Sequence, residues 1–269
     1  MKIHPTAIVD PGAEIGADVE IGPYSLIDAQ VVIGARAVIG PHARITGRTT
    51  IGEDCHIFTG AILGEAPQDT KYHGEPSYLR IGNRTIIREC VTMHLAVGEG
   101  NATTIGDDCM FMAYSHIGHN CTVGNRVCAS NYVGLSGGCR IEDRVILGGM
   151  AGLHQFVHIG RMAMVGGFSK ITGDVPPFVI ADGHENKLYG LNVVGLRRAG
   201  LSEEVRAVLK RAYRLVCQGN RKLVEAIIEA RATLPPVPEV DEFLSFLERS
   251  GRNGRHLDPR YVRAQQLTC

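Results

Sequence analysis

Residues 3–45 read IHPTAIVDPGAEIGADVEIGPYSLIDAQVVIGARAVIGPHARI, and every sixth position is apolar: Ile3, Val9, Ile15, Ile21, Ile27, Ile33, Ile39, Ile45. The series continues through Ile51, Ile57, Leu63, Ile81, Ile87, Met93, Ile105, Phe111, Ile117 and Val123 to Ile171. Of its 29 slots only Asp69, Glu75 and Glu99 are charged. A period of six fits neither the 3.6 of a helix nor the 2 of an ordinary strand. It is the hexapeptide repeat of a parallel β-helix, in which each hexad forms one flat face before the chain turns. Three hexads per turn place residues 18 apart above one another at the strand spacing of about 4.8 Å, which makes a prism roughly 40 Å tall.

The other hexad positions carry the same signal. Gly follows the apolar residue at Gly16, Gly22, Gly34, Gly40, Gly52, Gly106, Gly124 and Gly148 among others, and is read as supplying permissive corner dihedrals. Small residues precede the slot by two positions, as at Ala7, Ala37, Cys55, Cys109, Cys121 and Cys139. Two polar insertions interrupt the prism, near 65–79 and 95–104, each of a length that restores the phase. Loops on a rigid scaffold are where function concentrates.

The fold class is therefore mainly β, with residues 1–190 as the β-helix domain, its last stretch (173–194) reading as a connection. Residues 191–250 form a small C-terminal α-helical domain. There Ser202 caps a helix that carries Glu203 and Glu204 in its first turn and closes at Gly219. Further helices are expected near 223–232 and 240–249, and residues 251–269 read as a disordered tail.

The 44% hydrophobic content suits a large core, and the 33 Gly suit the repeat. Net charge is zero, but residues 1–194 hold 14 Lys/Arg against 19 Asp/Glu while residues 195–269 hold 14 against 9. A basic end is either a solvated face or a meeting surface for an acidic partner. The first ten residues show no apolar leader core, and no apolar run reaches 18 residues, so a cytoplasmic chain without membrane insertion is expected. The 8 Cys without regular spacing read as thiols, although Cys121 and Cys139 stack on adjacent turns.

Candidate chemistry clusters in Ser115-His116-Ile117-Gly118-His119-Asn120-Cys121, joined by Gly137-Gly138 and His154-Gln155. Residues 119, 137 and 155 share one column, so Gly137 lies over His119. A base under an accessible backbone N–H is what an acyl-transfer site needs. No Ser-His-Asp spacing suggests a covalent nucleophile, so direct attack by the acceptor is favoured. From spacing alone, His116 and His119 could equally be solvated surface histidines.

The stretches QDTKYHGEP (68–76), MAYSHIGHNCTVGN (112–125), GGMAGLHQFVHIG (148–160), DVPPFVIADG (174–183) and LNVVGLRRAG (191–200) occur in this order. Together they resemble the acyl-[acyl-carrier-protein]–UDP-N-acetylglucosamine O-acyltransferases, which open lipid A biosynthesis. The resemblance spans about residues 1–250. It implies a left-handed β-helix, where general rules favour right-handed crossovers, and a homotrimer with active sites between subunits. By the same resemblance His119 is the general base for the glucosamine 3-hydroxyl and the Gly137 N–H is the oxyanion donor. Asp69 and Lys71 contact the sugar nucleotide, and His116, His154 and Gln155 line the cleft. Asn192 and Arg198 lie by the nucleotide phosphates, and Gly167 leaves the acyl groove open to a 3-hydroxyacyl chain of around fourteen carbons. The implied partners are UDP-N-acetylglucosamine and the acidic acyl carrier protein, which would meet the basic C-terminal region; no cofactor, metal or nucleic acid is implied.

This chain departs from the family pattern at several points. Asn120 stands where Asp is common, Leu135-Ser136-Gly137-Gly138 replaces LAGH, His94-Leu95-Ala96-Val97 replaces His-Arg-Gly-Thr, and Val194 replaces an acidic residue. The departures keep other readings open: a paralogue acting on a 3-amino UDP-sugar, a non-catalytic scaffold, or a γ-carbonic-anhydrase-like metal enzyme using His116, His119 and His154.

Overall fold

The computed structural model describes residues 2–184, 187–219 and 221–252. It is a left-handed parallel β-helix closed by a helical cap. Almost every hexad contributes one short strand, and the strands form three sheets of 11, 9 and 8 members along the three faces of the prism. Register follows the repeat: Lys2 pairs with Glu20 and Glu14 with Val32. Across the first insertion Ile62 pairs with Thr92, and across the second Thr92 pairs with His116. The turns holding the two insertions are thus 12 and 6 residues longer than the regular 18, and phase is kept.

The apolar hexad slots point inward and are buried from Ile21 onward, as at Ile39, Ile57, Ile87, Leu147 and Val165. Burying each Ile or Leu contributes about 2 kcal/mol. Volume is balanced along one column, where the large Phe111 is followed on the next turn by Ala129. Cys121 and Cys139 occupy the small-residue slot as buried free thiols.

The hexad glycines serve a different purpose from the one expected. Of those quoted above none has a positive φ, and of the others that follow an apolar slot Gly64 alone does; the left-handed corner positions are held by Asp18, Tyr24, Arg36, His42, Asp54, Arg84, Tyr114 and others. The glycines are required instead by close approach of the next turn. A Cβ at Gly34 would lie 2.6 Å from the carbonyl carbon of Gly52, and one at Gly106 2.6 Å from the Gly124 oxygen. Such backbone-to-backbone contact leaves no room for any side chain.

The stretch expected to be a plain connection continues the sheet. Val179–Asp182 extends the largest sheet, with Met164 opposite Ile180, and turns back antiparallel onto Lys187–Leu191. Val179 and Ala181 are fully buried, which is why the segment is ordered on the end of the prism. Helices then follow as α1 (Val193–Arg198), α2 (Glu203–Cys217), α3 (Leu223–Thr233) and α4 (Pro238–Arg252). The short α1 has no counterpart in the sequence reading. Ser202 caps α2 by accepting the Val205 N–H, and α2 ends at Cys217, two residues before Gly219. The cap is pinned to the prism by Arg161, which donates to Glu242 of α4 at 2.7 and 3.0 Å, and by Ser250 on Asp174 at 2.9 Å. The expectation of a disordered tail concerns residues that, beyond Arg252, lie outside the described ones.

Candidate active site

The strand His116–Ile117 carries one histidine outward and leads into the turn that holds the other. At the turn, Asn120 adopts φ 58°, a conformation Asn tolerates better than most residues. His119 projects upward beneath Gly137. A Cβ on Gly137 would lie 2.2 Å from His119 Nε2, so only glycine leaves the imidazole this position. The Gly137 carbonyl accepts from the Phe156 N–H, whereas the Gly137 N–H has no acceptor among the described residues. A base and a free backbone donor therefore lie together.

The first insertion folds back onto this point. Asp69 Oδ2 stands 3.4 Å from His119 Nε2, and Asp69 Oδ1 accepts the Lys71 N–H at 2.9 Å. The Lys71 side chain itself is exposed. Both Asp69 and His119 are mostly sheltered, with 21% and 14% of their side chains accessible.

Below them His116 Nδ1 is 2.8 Å from the Thr92 hydroxyl, and the His116 ring meets His94 edge-on at 5.1 Å. Burial, followed by the neighbouring His94 and His119, pushes His116 down to about 4. Burial likewise lowers His94, whose Nδ1 has no hydrogen-bond partner among the described residues. Both rings are therefore neutral at pH 7. His94 was not singled out from the sequence, where it stood within a departing segment. The ladder pairing Glu65 with His94 is what brings it to the site.

His154 and Gln155 are exposed on the turn above Gly137. Among the described residues no group of three His, Cys, Asp or Glu could hold a metal ion, so His116, His119 and His154 do not converge as a metal-enzyme reading requires. Gly167 lies on the column above Gly149, and Gly134 and Gly152, directly above His116, have nothing within 4 Å of where a Cβ would be. The face above His116 is thus smooth.

Asn192 and Arg198 lie apart from this cluster in the lining of a 680 Å³ groove shared with Arg126, Arg144, Val194 and the apolar Ile146 and Met164. The Asn192 amide is spent on structure: Oδ1 accepts the Gly195 N–H as the cap of α1, and Nδ2 donates to the Met162 carbonyl. Arg198 is exposed at the far end of α1.

Leu95 and Gly138, two of the departures, have local explanations. Leu95 is buried against Gly47, where an Arg would lose its solvation. Gly138 is covered by the Phe156 ring, 2.5 Å from where a Cβ would sit.

Comparison with known proteins identifies the family. The family model for UDP-N-acetylglucosamine O-acyltransferase, domain 2, matches residues 174–255, and the bacterial transferase hexapeptide model matches residues 12–47 and 102–128. An acyl-[acyl-carrier-protein]–UDP-N-acetylglucosamine O-acyltransferase of Anaeromyxobacter sp. (strain Fw109-5) is 47% identical over 94% of this chain and 98% of its own. The chain belongs to the acyl-[acyl-carrier-protein]–UDP-N-acetylglucosamine O-acyltransferase family. The member from Burkholderia lata is 51% identical over 86% of this chain and 88% of its own. The solved structure of LpxA from Acinetobacter baumannii superposes with a TM-score of 0.88 at 39% identity, covering 93% of this chain and 97% of that one. As a member of this family the chain is an acyltransferase.

Proposed function

We propose that this chain transfers a 3-hydroxyacyl group from acyl carrier protein to the 3-hydroxyl of UDP-N-acetylglucosamine, the opening step of lipid A biosynthesis. The observation that carries the reading is Gly137 stacked on the His119 imidazole, with its N–H unengaged among the described residues. His119 Nε2 takes the proton of the 3-hydroxyl as its oxygen attacks the thioester carbonyl carbon. The Gly137 N–H donates to the oxyanion. As the C–S bond breaks, the proton on Nε2 passes to the departing sulfur, leaving an ester and the carrier thiol. General-base and oxyanion assistance of this kind each contribute roughly 10²–10⁴-fold.

In this reading Asp69 and Lys71 hold the sugar nucleotide, and Asp69 already stands beside Nε2, at 3.4 Å. Neutral His116 lines the cleft with His154 and Gln155. Gly167 and the smooth column above His116 leave a path for the acyl chain. Arg198 meets the nucleotide phosphates, a role that guanidinium geometry suits, and Asn192 contributes by capping the helix that presents it. The basic C-terminal region meets the acidic carrier protein.

Three copies assemble as a trimer with active sites between subunits. Support comes from one corner of the prism, where Tyr24, Tyr114, Tyr132, Met150 and Phe168 stand at least half exposed in a single column. Among the described residues no helix is long and apolar enough to cross a membrane, which fits work in the cytoplasm.

Incubation with UDP-N-acetylglucosamine and a panel of 3-hydroxyacyl carrier proteins, read by mass spectrometry, should give the 3-O-acyl product. His119→Ala should lower kcat roughly 10²–10⁴-fold with the fold intact. Wild-type turnover in that variant would remove His119 from the mechanism, and product only from a 3-amino sugar would replace the acceptor.

A further inference from the structure

We infer that Cys121 is the positioning residue of the oxyanion donor: its buried thiol holds the Ser136 carbonyl inward, so that the Gly137 N–H on the same peptide faces the cleft. The inference rests on Gly137 serving as the donor proposed above. Cys121 Sγ donates to the Ser136 oxygen at 3.2 Å, and Cys121 is fully buried in the prism. The neighbouring Cys139 thiol, and then burial, push the Cys121 thiol well above its ordinary range, so it keeps the proton it donates. The Ser136–Gly137 peptide is trans, and a planar trans peptide points its C=O and N–H in opposite directions. With the carbonyl fixed inward, the Gly137 N–H is directed out of the prism.

The surroundings hold the same peptide on its other sides. The Ser136 N–H donates to the Leu153 carbonyl at 3.2 Å, the Gly138 N–H to the His119 carbonyl at 2.8 Å, and the Gly137 carbonyl accepts the Phe156 N–H at 3.0 Å. A Cβ at Gly118 would lie 3.0 Å from the Gly137 nitrogen, so the peptide rests directly on glycine backbone. At nearby corners the matching carbonyl takes the bond that closes the turn, Ser130 from the Val133 N–H at 3.3 Å and Gly148 from the Ala151 N–H at 3.2 Å. Among the described residues no such bond runs from Cys139 to Ser136. The thiol takes its place.

The same device recurs at another corner of the prism, where its outcome is visible. Cys55 Sγ donates to the Gly82 carbonyl, Thr85 Oγ1 to that of Gly106 and Cys109 Sγ to that of Gly124, each at 3.1 Å. In each case the N–H of the same peptide donates to a side-chain oxygen one turn up. Asn83 donates to Asp107 Oδ1 at 2.8 Å, Asp107 to Asn125 Oδ1 at 2.9 Å and Asn125 to Asp143 Oδ1 at 2.7 Å. A peptide anchored from within by a thiol or hydroxyl thus presents its N–H to an oxygen on the outer wall. The Gly137 N–H has no such oxygen among the described residues, and the oxyanion formed from the thioester takes that place.

The test uses the full chain with carbonyl-¹³C serine and ¹⁵N glycine, which doubly label only the Ser136–Gly137 and Ser250–Gly251 peptides. Cys121→Ala should move the Ser136–Gly137 signal and leave the other in place. Its kcat should fall roughly 10–100-fold, with KM for UDP-N-acetylglucosamine within about threefold. Cys121→Ser supplies a hydroxyl in a slot from which Ser25 reaches the Gly40 carbonyl at 2.8 Å. It should restore the signal and bring kcat to within about threefold of wild type. Cys109→Ala frees the Gly124 carbonyl in the same way and is the control: its melting temperature should fall as in Cys121→Ala, with kcat unchanged. An unmoved Ser136–Gly137 signal in Cys121→Ala would overturn the inference. So would an equal loss of kcat in Cys109→Ala, or a Cys121→Ser enzyme as slow as Cys121→Ala. Failure of the reading beneath it looks different: the signal moves while kcat stays at the wild-type value, which removes Gly137 from the mechanism and the positioning role with it.

Discussion

The His119 ring is touched at three points: Asn120 at Nδ1, Asp69 across from Nε2, and the backbone of Gly137 above. The last contact makes a direct prediction. Gly137→Ala places a methyl group 2.2 Å from Nε2 and must turn the imidazole aside. Since misplacement by about 1 Å can cost 10²-fold in rate, kcat should fall by about that factor. The melting temperature should change little, because the displaced atoms are the far end of a side chain. His116 gives a second prediction, in stability. Burial holds its folded pKa at about 4 against an ordinary 6.5. The unfolded chain takes up the proton as pH falls through 6.5, while the folded chain does so only near 4. Stability present at neutral pH is therefore lost across that window, on the order of 3 kcal/mol in full. Denaturant midpoints at pH 7.5 and 4.5 should separate widely for the wild type and much less for His116→Gln. Equal separations would refute the buried neutral histidine.

At the scale of the hexad, a glycine after the apolar slot and one before it differ in space. A Cβ on Gly106 would lie 2.6 Å from the backbone of the next turn, whereas one on Gly134 would have nothing within 4 Å. Gly106→Ala should destabilise by roughly 1–3 kcal/mol, because the coils must part. Gly134→Ala should stay within about 0.5 kcal/mol. Equilibrium unfolding of the pair checks the contrast, and equal costs would return the hexad glycines to a conformational role. The corner residues make the complementary point. Arg36, Arg84 and Tyr114 adopt φ near 60° without being glycine. Arg36 and Arg84 pair with carboxylates from the next turn, on Asp54 and Asp108 at 2.7 Å. A corner is tolerated because the rungs on both sides are fixed by the sheets.

For the whole molecule, the prism sorts its corners by chemistry. One carries the alternating Arg36, Asp54, Arg84 and Asp108, paired along its length. Another carries the exposed Tyr24, Tyr114, Tyr132, Met150 and Phe168, with Tyr114 stacked on Tyr132 at 5.0 Å. The run from Tyr114 to Phe168 is apolar on four successive turns, and an exposed apolar patch of this kind marks an interaction surface. Three copies meeting along it would satisfy a threefold axis. Tyr132→Glu combined with Met150→Glu should lower the sedimenting mass from trimer to monomer. A trimer unaffected by both changes would move the proposed interface elsewhere.

The parallel β-helix, its register and the position of Gly137 over His119 were legible in the sequence because a period of six leaves the chain one way to bury its apolar slots. Residues 18 apart must then stack, and a linear motif becomes a column. The insertions hid what the period could not reach. His94, Val97 and Asn120 join the site through contacts between loops and rungs 23 to 29 residues apart, distances with no periodic signature. The tertiary structure alone decided that the hexad glycines answer to packing and that the Asn192 amide is consumed in a cap. It also decided that Asn120, 2.8 Å from His119 Nδ1, is held by the Val97 peptide of the second insertion. The physical reason is common to all three. Sequence periodicity determines which residues share a column, but only coordinates determine which donors and acceptors are already paired and which, like the Gly137 N–H, are left for chemistry.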